Sequence, residues 1–161
     1  MAMNQLSAKP ISLFRSLDDL PQNLRGSLLA IGNFDGVHLG HQAVIAAARQ
    51  KADALGCPLG VMLFDPHPRS FFAPDADSFR LTRLATRARL MADIGVDFTL
   101  ALPFNADMVA CSAEDFIEMI RGDNLNVRGV AIGHDFRFGK DRRGDVEMLR
   151  AHSQTHGFEV V

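Results

Sequence analysis

The stretch that decides the fold runs from Ser27 to His41 and reads SLLAIGNFDGVHLGH. Ser27 to Gly32 is an apolar run with the length of a buried strand. Glycines at 32, 36 and 40 follow, and they permit positive φ and close backbone approach. From Leu39 the period changes. Val44, Ile45, Ala48, Ala52 and Leu55 recur near i, i+4 and i+8, which predicts a helix over 39–55 stopped by Gly56.

The alternation continues outward from this βα unit. Leu59 to Phe64 is a second apolar strand, cut off by Asp65-Pro66. Leu81 to Ile94 is helical and ends at Gly95. Asp97 to Leu102 is a third strand ended by Pro103. Ser112 is an N-cap with Asp115 at N3, opening a helix that runs to Arg121 and stops at Gly122. Val127 to Ile132 is a fourth strand, Asp145 to His156 a helix closed by Gly157, and Phe158 to Val161 begins a fifth apolar run. Strands that are apolar throughout and separated by helices indicate a parallel sheet covered on both faces. Right-handed crossovers then give a Rossmann-like α/β fold: a doubly wound open sheet, mostly parallel, of about five strands with helices on both faces. Ligands in that architecture sit beyond the carboxyl ends of the strands.

Composition narrows the class. The 161 residues, 47% hydrophobic and 22% charged, predict one ordered domain and exclude disordered and collagenous chains. No apolar run approaches the roughly 18 residues needed to span a bilayer. Cys57 and Cys111 make neither a disulfide framework nor a zinc spacing. The first ten residues lack an apolar signal core, so a cytoplasmic location is expected. A net charge of −2 argues against a nucleic-acid partner. Lys occurs only at 9, 51 and 140, and Arg, the bidentate phosphate binder, supplies the remaining cations. All 12 aromatic residues are Phe, so any ring that stacks on a ligand is Phe or His.

The histidines test the rule about strand ends. His38 and His41 follow the first strand, His67 the second and His134 the fourth, while His152 and His156 lie in the last helix. Four of the six therefore fall where the fold places ligands. His38 and His41 are three apart at a helix start and share a face toward the free N–H groups and positive helix end that attract anions. A glycine-rich turn with two surface histidines is the plainer alternative, but it would not need so many special residues together. The loop is neither a Walker A loop nor G-x-G-x-x-G. In the second loop, Phe64 to Phe72, two prolines stiffen the chain around His67. Arg69 could meet phosphate and Phe71 and Phe72 a ring, or the loop is a rigid turn with an apolar plug. In the fourth, Gly133 to Gly144, Phe136 and Phe138 alternate beside Asp135 and the cations Arg137, Lys140, Arg142 and Arg143. This suits a ligand with a ring and a phosphate, or a solvated basic loop anchored by two Phe. His152 and His156, at i and i+4, lack a third metal ligand and read as an exposed face.

G-N-F-D-G-V-H-L-G-H resembles the His-x-Gly-His signature of the nucleotidylyltransferase superfamily. With F-D-P-H-P, R-L-T-R-L, G-V-D-F and G-H-D-F-R-F-G-K-D-R-R-G-D in the same order, the chain from Ser27 to Val161 looks like the adenylyltransferase (FAD synthetase) domain of bacterial bifunctional riboflavin kinase/FMN adenylyltransferase. The resemblance implies transfer of AMP from ATP to FMN, with Mg²⁺, to give FAD and pyrophosphate. It implies that His38 and His41 contact ATP phosphates and stabilise the transition state. Asn33, Phe34, Asp35, Gly40, His67 and Arg142 are implied for ATP, and Pro68, Phe71, Asp135, Phe136, Arg137 and Phe138 for FMN. No resident metal site is implied, and the implied partners are small-molecule nucleotides and flavin, with neither nucleic acid nor membrane.

Two departures shape the expectation. The family has a Ser-Ser-Thr-x-x-Arg segment after its fifth strand that touches ATP phosphates, whereas the Thr residues here are 82, 86, 99 and 155. Its riboflavin kinase domain, with a Pro-Thr-Ala-Asn motif, is absent from these residues. Residues 1–161 are therefore expected to be the adenylyltransferase domain truncated at its C-terminal end, with the kinase domain expected in a full-length parent. The alternatives are a catalytically weak nucleotide- or flavin-binding fragment and a metal-dependent hydrolase built on His38, His41 and His67.

Overall fold

Leu28–Ile31 (β2), Leu59–Phe64 (β3), Phe98–Leu102 (β4) and Gly129–Ala131 (β5) are buried at every position. A strand without a polar face must be covered on both sides, which is the condition a parallel sheet with flanking helices satisfies. The computed structural model describes residues 12–34, 39–65, 84–133 and 135–161. In it, short strands Leu13–Phe14 (β1) and Glu159–Val160 (β6) complete a sheet of order β1-β4-β3-β2-β5-β6. Every pairing is parallel. The helices are Leu39–Leu55 (α1), Leu84–Asp93 (α2), Ala106–Ala110 (α3), Ala113–Arg121 (α4) and Val146–His156 (α5).

Successive strand residues point to opposite faces, and each face has its own core. Leu29, Ile31, Met62, Phe64 and Val130 pack with Phe116, Ile117 and Ile120 of α4 and Leu149 of α5. Leu28, Ala30, Val61, Leu63 and Ala131 pack with Ile45, Ala48 and Ala52 of α1 and Leu84 and Met91 of α2. The sheet is doubly wound, as its apolar runs require. Gly60 marks the tightest point of the β3–β4 pairing: a Cβ there would lie 2.2 Å from the Phe98 ring.

The stop signals act as read. Ser112 Oγ accepts from the Asp115 amide at 3.0 Å, and Gly157, at φ +77°, ends α5. The sheet has six strands rather than about five. The added one, β1, places Leu13 against Thr99 and Phe14 against Leu100. Two residues are too few to show a period, and β1 is recruited by the edge that β4 leaves open. α3, capped by Asn105, has five residues and is likewise too short to show a period.

The topology positions the site. From β2 the chain crosses to β3 on one side; from β5 it crosses to β6 on the other. The crevice of a doubly wound sheet opens where these crossovers diverge, at the carboxyl ends of β2 and β5.

Candidate functional site

The β2–β5 register, Leu28 against Gly129 and Ala30 against Ala131, brings the loops after both strands out side by side. Gly32, Asn33 and Phe34 begin one wall. Gly133 and Asp135 to Phe138 begin the other.

On the first wall Phe34 is a buried residue with φ +52°, a left-handed conformation that a side chain with a β-carbon rarely adopts. Its ring turns into the α1/α2 core, and a Cβ on Gly32 would approach that ring to 3.2 Å. The ring meets His41 edge-on, with centroids 5.2 Å apart and planes at 76°. His41 lies in the first turn of α1, beside the exposed Gly40, at the positive end of the helix dipole, which favours anions. The half-buried Asn33 offers its carbonyl to Arg87 Nη1 at 2.7 Å. Arg87, on α2, is 0% exposed.

The second wall is built around Phe138. Its ring is buried against Phe116, with centroids 5.1 Å apart, and Phe136 stacks on it at 5.9 Å with an interplanar angle of 22°. Phe138 thus belongs to the core on the α4/α5 face, and the half-buried Phe136 is the member of the pair nearer solvent. Asp135 and Arg137 are exposed. Arg137 Nη1 stands 3.6 Å from Asp145 Oδ2, while Asp145 Oδ1 caps α5 by accepting from the Met148 amide at 2.9 Å. Arg137 is therefore tethered to the helix that follows its loop. Arg142 is exposed at the end of the 3-10 turn Lys140–Arg142, with φ +55°.

Of the residues singled out in the sequence, the structure groups Asn33, Phe34, Gly40 and His41 on the first wall and Asp135, Phe136, Arg137 and Phe138 on the second. Arg142 lies further along the second loop. Asp35, His38, His67, Pro68, Phe71 and His134 lie outside the described residues. Arg87 was not foreseen. Its signal was present, since it occupies the Leu84, Ala88, Met91 stripe of α2, where a purely structural helix would carry an apolar residue. Among the described residues no three His, Cys, Asp or Glu side chains converge to hold a metal ion.

The chain as a whole is similar to known proteins. The FAD synthetase family model covers residues 20–161. The chain belongs to the FAD synthetase family. It is 43% identical over 150 residues to a bifunctional riboflavin kinase/FMN adenylyltransferase of Pseudomonas fluorescens, covering 93% of this chain and 48% of that protein. A protein of the same description from Escherichia coli (strain K12) is 39% identical over 153 residues, covering 95% and 48%. The chain spans about half the length of the curated relatives it matches. Among solved structures, one titled as a macrolide-efflux protein from Streptococcus pneumoniae aligns with TM-score 0.77 and 25% identity over 92% of this chain and 48% of that one. Among the described residues of this family member, no helix is long and apolar enough to cross a membrane.

Proposed function

We propose that this FAD synthetase family chain is an FMN adenylyltransferase domain, joining ATP and FMN to give FAD and pyrophosphate. The observation that carries the reading is His41 at the start of α1, packed T-shaped against Phe34 at the switch point of the sheet. A transfer of AMP needs little covalent chemistry from the protein. An oxygen of the FMN phosphate bonds to the α-phosphorus, the bond from that phosphorus to the bridging oxygen breaks, and pyrophosphate leaves with the electron pair. Negative charge builds on the phosphoryl oxygens, and a helix N-terminus with imidazole donors is suited to stabilise it.

In this reading His38 and His41 face the ATP phosphates, with Asn33, Phe34, Asp35, Gly40, His67 and Arg142 on the nucleotide side. Pro68, Phe71, Asp135, Phe136 and Arg137 serve the flavin, and Phe138 contributes by backing Phe136. Mg²⁺ enters with the ATP phosphates, whose oxygens are its preferred ligands, rather than through a protein cage. Of the two activities named for the relatives, this reading assigns the adenylyltransferase to the chain. A cytoplasmic location is part of this reading.

The test is FAD formation by the 161-residue chain from FMN, ATP and Mg²⁺, read by chromatography, alongside calorimetric titration of each substrate. FAD produced by the wild type and reduced about 100- to 1,000-fold in His41→Ala supports the assignment. Saturable binding without turnover restricts the chain to nucleotide and flavin binding. Neither binding nor turnover overturns the reading.

A further inference from the structure

We propose that Arg87 is a positioning residue: its buried guanidinium holds the Asn33 carbonyl, which keeps Phe34 in its left-handed conformation and so sets the ring of His41. The kinetic part of this inference rests on the adenylyltransferase reading above; the positional part does not.

The argument begins with burial. The inward face of α2 is Leu84, Ala88 and Met91, and Arg87 stands among them fully buried. A guanidinium cannot shed its charge to ease desolvation, and an apolar residue of similar volume commonly serves a core position as well or better. Packing by itself gives α2 no reason for an arginine here. The hydrogen bond does: Arg87 Nη1 donates to the Asn33 carbonyl at 2.7 Å, across 54 residues of sequence.

That carbonyl shares a peptide plane with the Phe34 amide, so fixing its direction fixes one side of the Phe34 φ torsion. Phe34 holds φ +52° with its ring in the core. Strain of this kind persists only where surrounding contacts over-determine it, and it clusters at functional sites. The same ring packs T-shaped against His41, with centroids 5.2 Å apart. The path from α2 to His41 is therefore one hydrogen bond, one torsion and one ring contact.

The experiment compares the wild-type chain with Arg87→Met and Arg87→Lys. His41 imidazole resonances, assigned by their loss in His41→Gln, carry the ring-current shift of Phe34. In Arg87→Met they should move while those of His152 and His156, remote on α5, stay in place. Arg87→Lys, which keeps a charged donor, should return them part of the way. Turnover of Arg87→Met should fall about 10- to 100-fold in kcat, with a smaller change in KM for ATP. A folded Arg87→Met with unmoved His41 resonances overturns the proposal, whatever its kcat. Should Arg87→Met fail to fold, Arg87→Gln is read the same way. If the wild type makes no FAD, the kinetic part fails with the adenylyltransferase activity, while the resonances still decide whether Arg87 positions His41.

Discussion

Phe138 and Gly144 bond to each other in both directions. The Phe138 amide donates to the Gly144 carbonyl at 3.1 Å, and the Gly144 amide donates to the Phe138 carbonyl at 2.8 Å. This antiparallel bridge closes the basic loop on itself and delivers Asp145 to the start of α5. The pairing needs a glycine, because a Cβ at 144 would lie 2.3 Å from the Phe138 ring. That ring cannot retreat, being held between Phe116 and Phe136. Gly144→Ala should therefore cost about 1–3 kcal/mol, the range for overpacking a filled site, and lower the thermal midpoint by several degrees. An unchanged midpoint would show that the ring has room to turn.

Phe136 and Phe138 should separate by assay. Phe138→Ala empties a core position and should cost about 3–5 kcal/mol in chemical denaturation. Phe136→Ala should leave most of the stability intact and weaken FMN binding by about 1–3 kcal/mol, by analogy with aromatic platforms, with ATP binding little changed. Equal losses for the two ligands in calorimetry would count against a flavin role for Phe136.

The opposite end of the sheet provides a control. Asp97 Oδ2 accepts from the Leu59 amide at 2.9 Å and from Arg49 Nη1 at 3.0 Å, tying the starts of β3 and β4 to α1. Burial alone would lower the Arg49 pKa, but Asp97 and Asp53 outweigh it and hold the guanidinium above its ordinary value. Asp97→Ala leaves a buried strand without this acceptor and should destabilise by about 2 kcal/mol. Affinity for FMN and ATP, measured below the unfolding transition, should be unaltered because the ligand loops leave the other end of the strands.

Cys111 makes the alkaline limb testable. Burial first, and the Asp115 carboxylate second, push its thiol above the ordinary value. An unfolded thiol ionises near about pH 8.5. Between that pH and the higher folded value, the unfolded chain has released a proton that the folded chain retains. Stability from this group is therefore complete below pH 8.5 and falls as pH rises. The stability difference between wild type and Cys111→Ala should shrink between pH 8 and pH 10 in urea titrations. A constant difference would mean that the thiol titrates alike in both states.

Much of the fold was legible because its signals are local. The all-apolar strand Leu59–Phe64 and the 3.6-residue period of Leu39–Leu55 have the same bounds in the structure as in the sequence. The Ser112 cap and the Gly157 stop each act within one turn of chain, so neighbouring residues suffice to predict them. β1 and α3 were missed because two and five residues carry no measurable period. In the site, the glycine-rich turn and the alternating Phe136 and Phe138 were visible as a pattern. Which of the two rings faces outward was not, because alternation is the same whichever side of the loop is buried.

By itself the sequence determined the order of the longer strands and helices, the parallel sheet they must form, and the loops on which a phosphate- and ring-binding site would be built. These follow from periodicity and from the torsional habits of glycine and proline, which act between residues close in the chain. The tertiary structure alone decided that Phe138 is core beneath Phe136, that Phe34 bends left-handed under His41, and that Arg87 reaches the Asn33 carbonyl from another helix. Each depends on which faces meet across the sheet, and the hydrogen bond that joins α2 to the first loop spans 54 residues. A side chain's partner at that separation is set by the packing of the layers, and no local pattern encodes it.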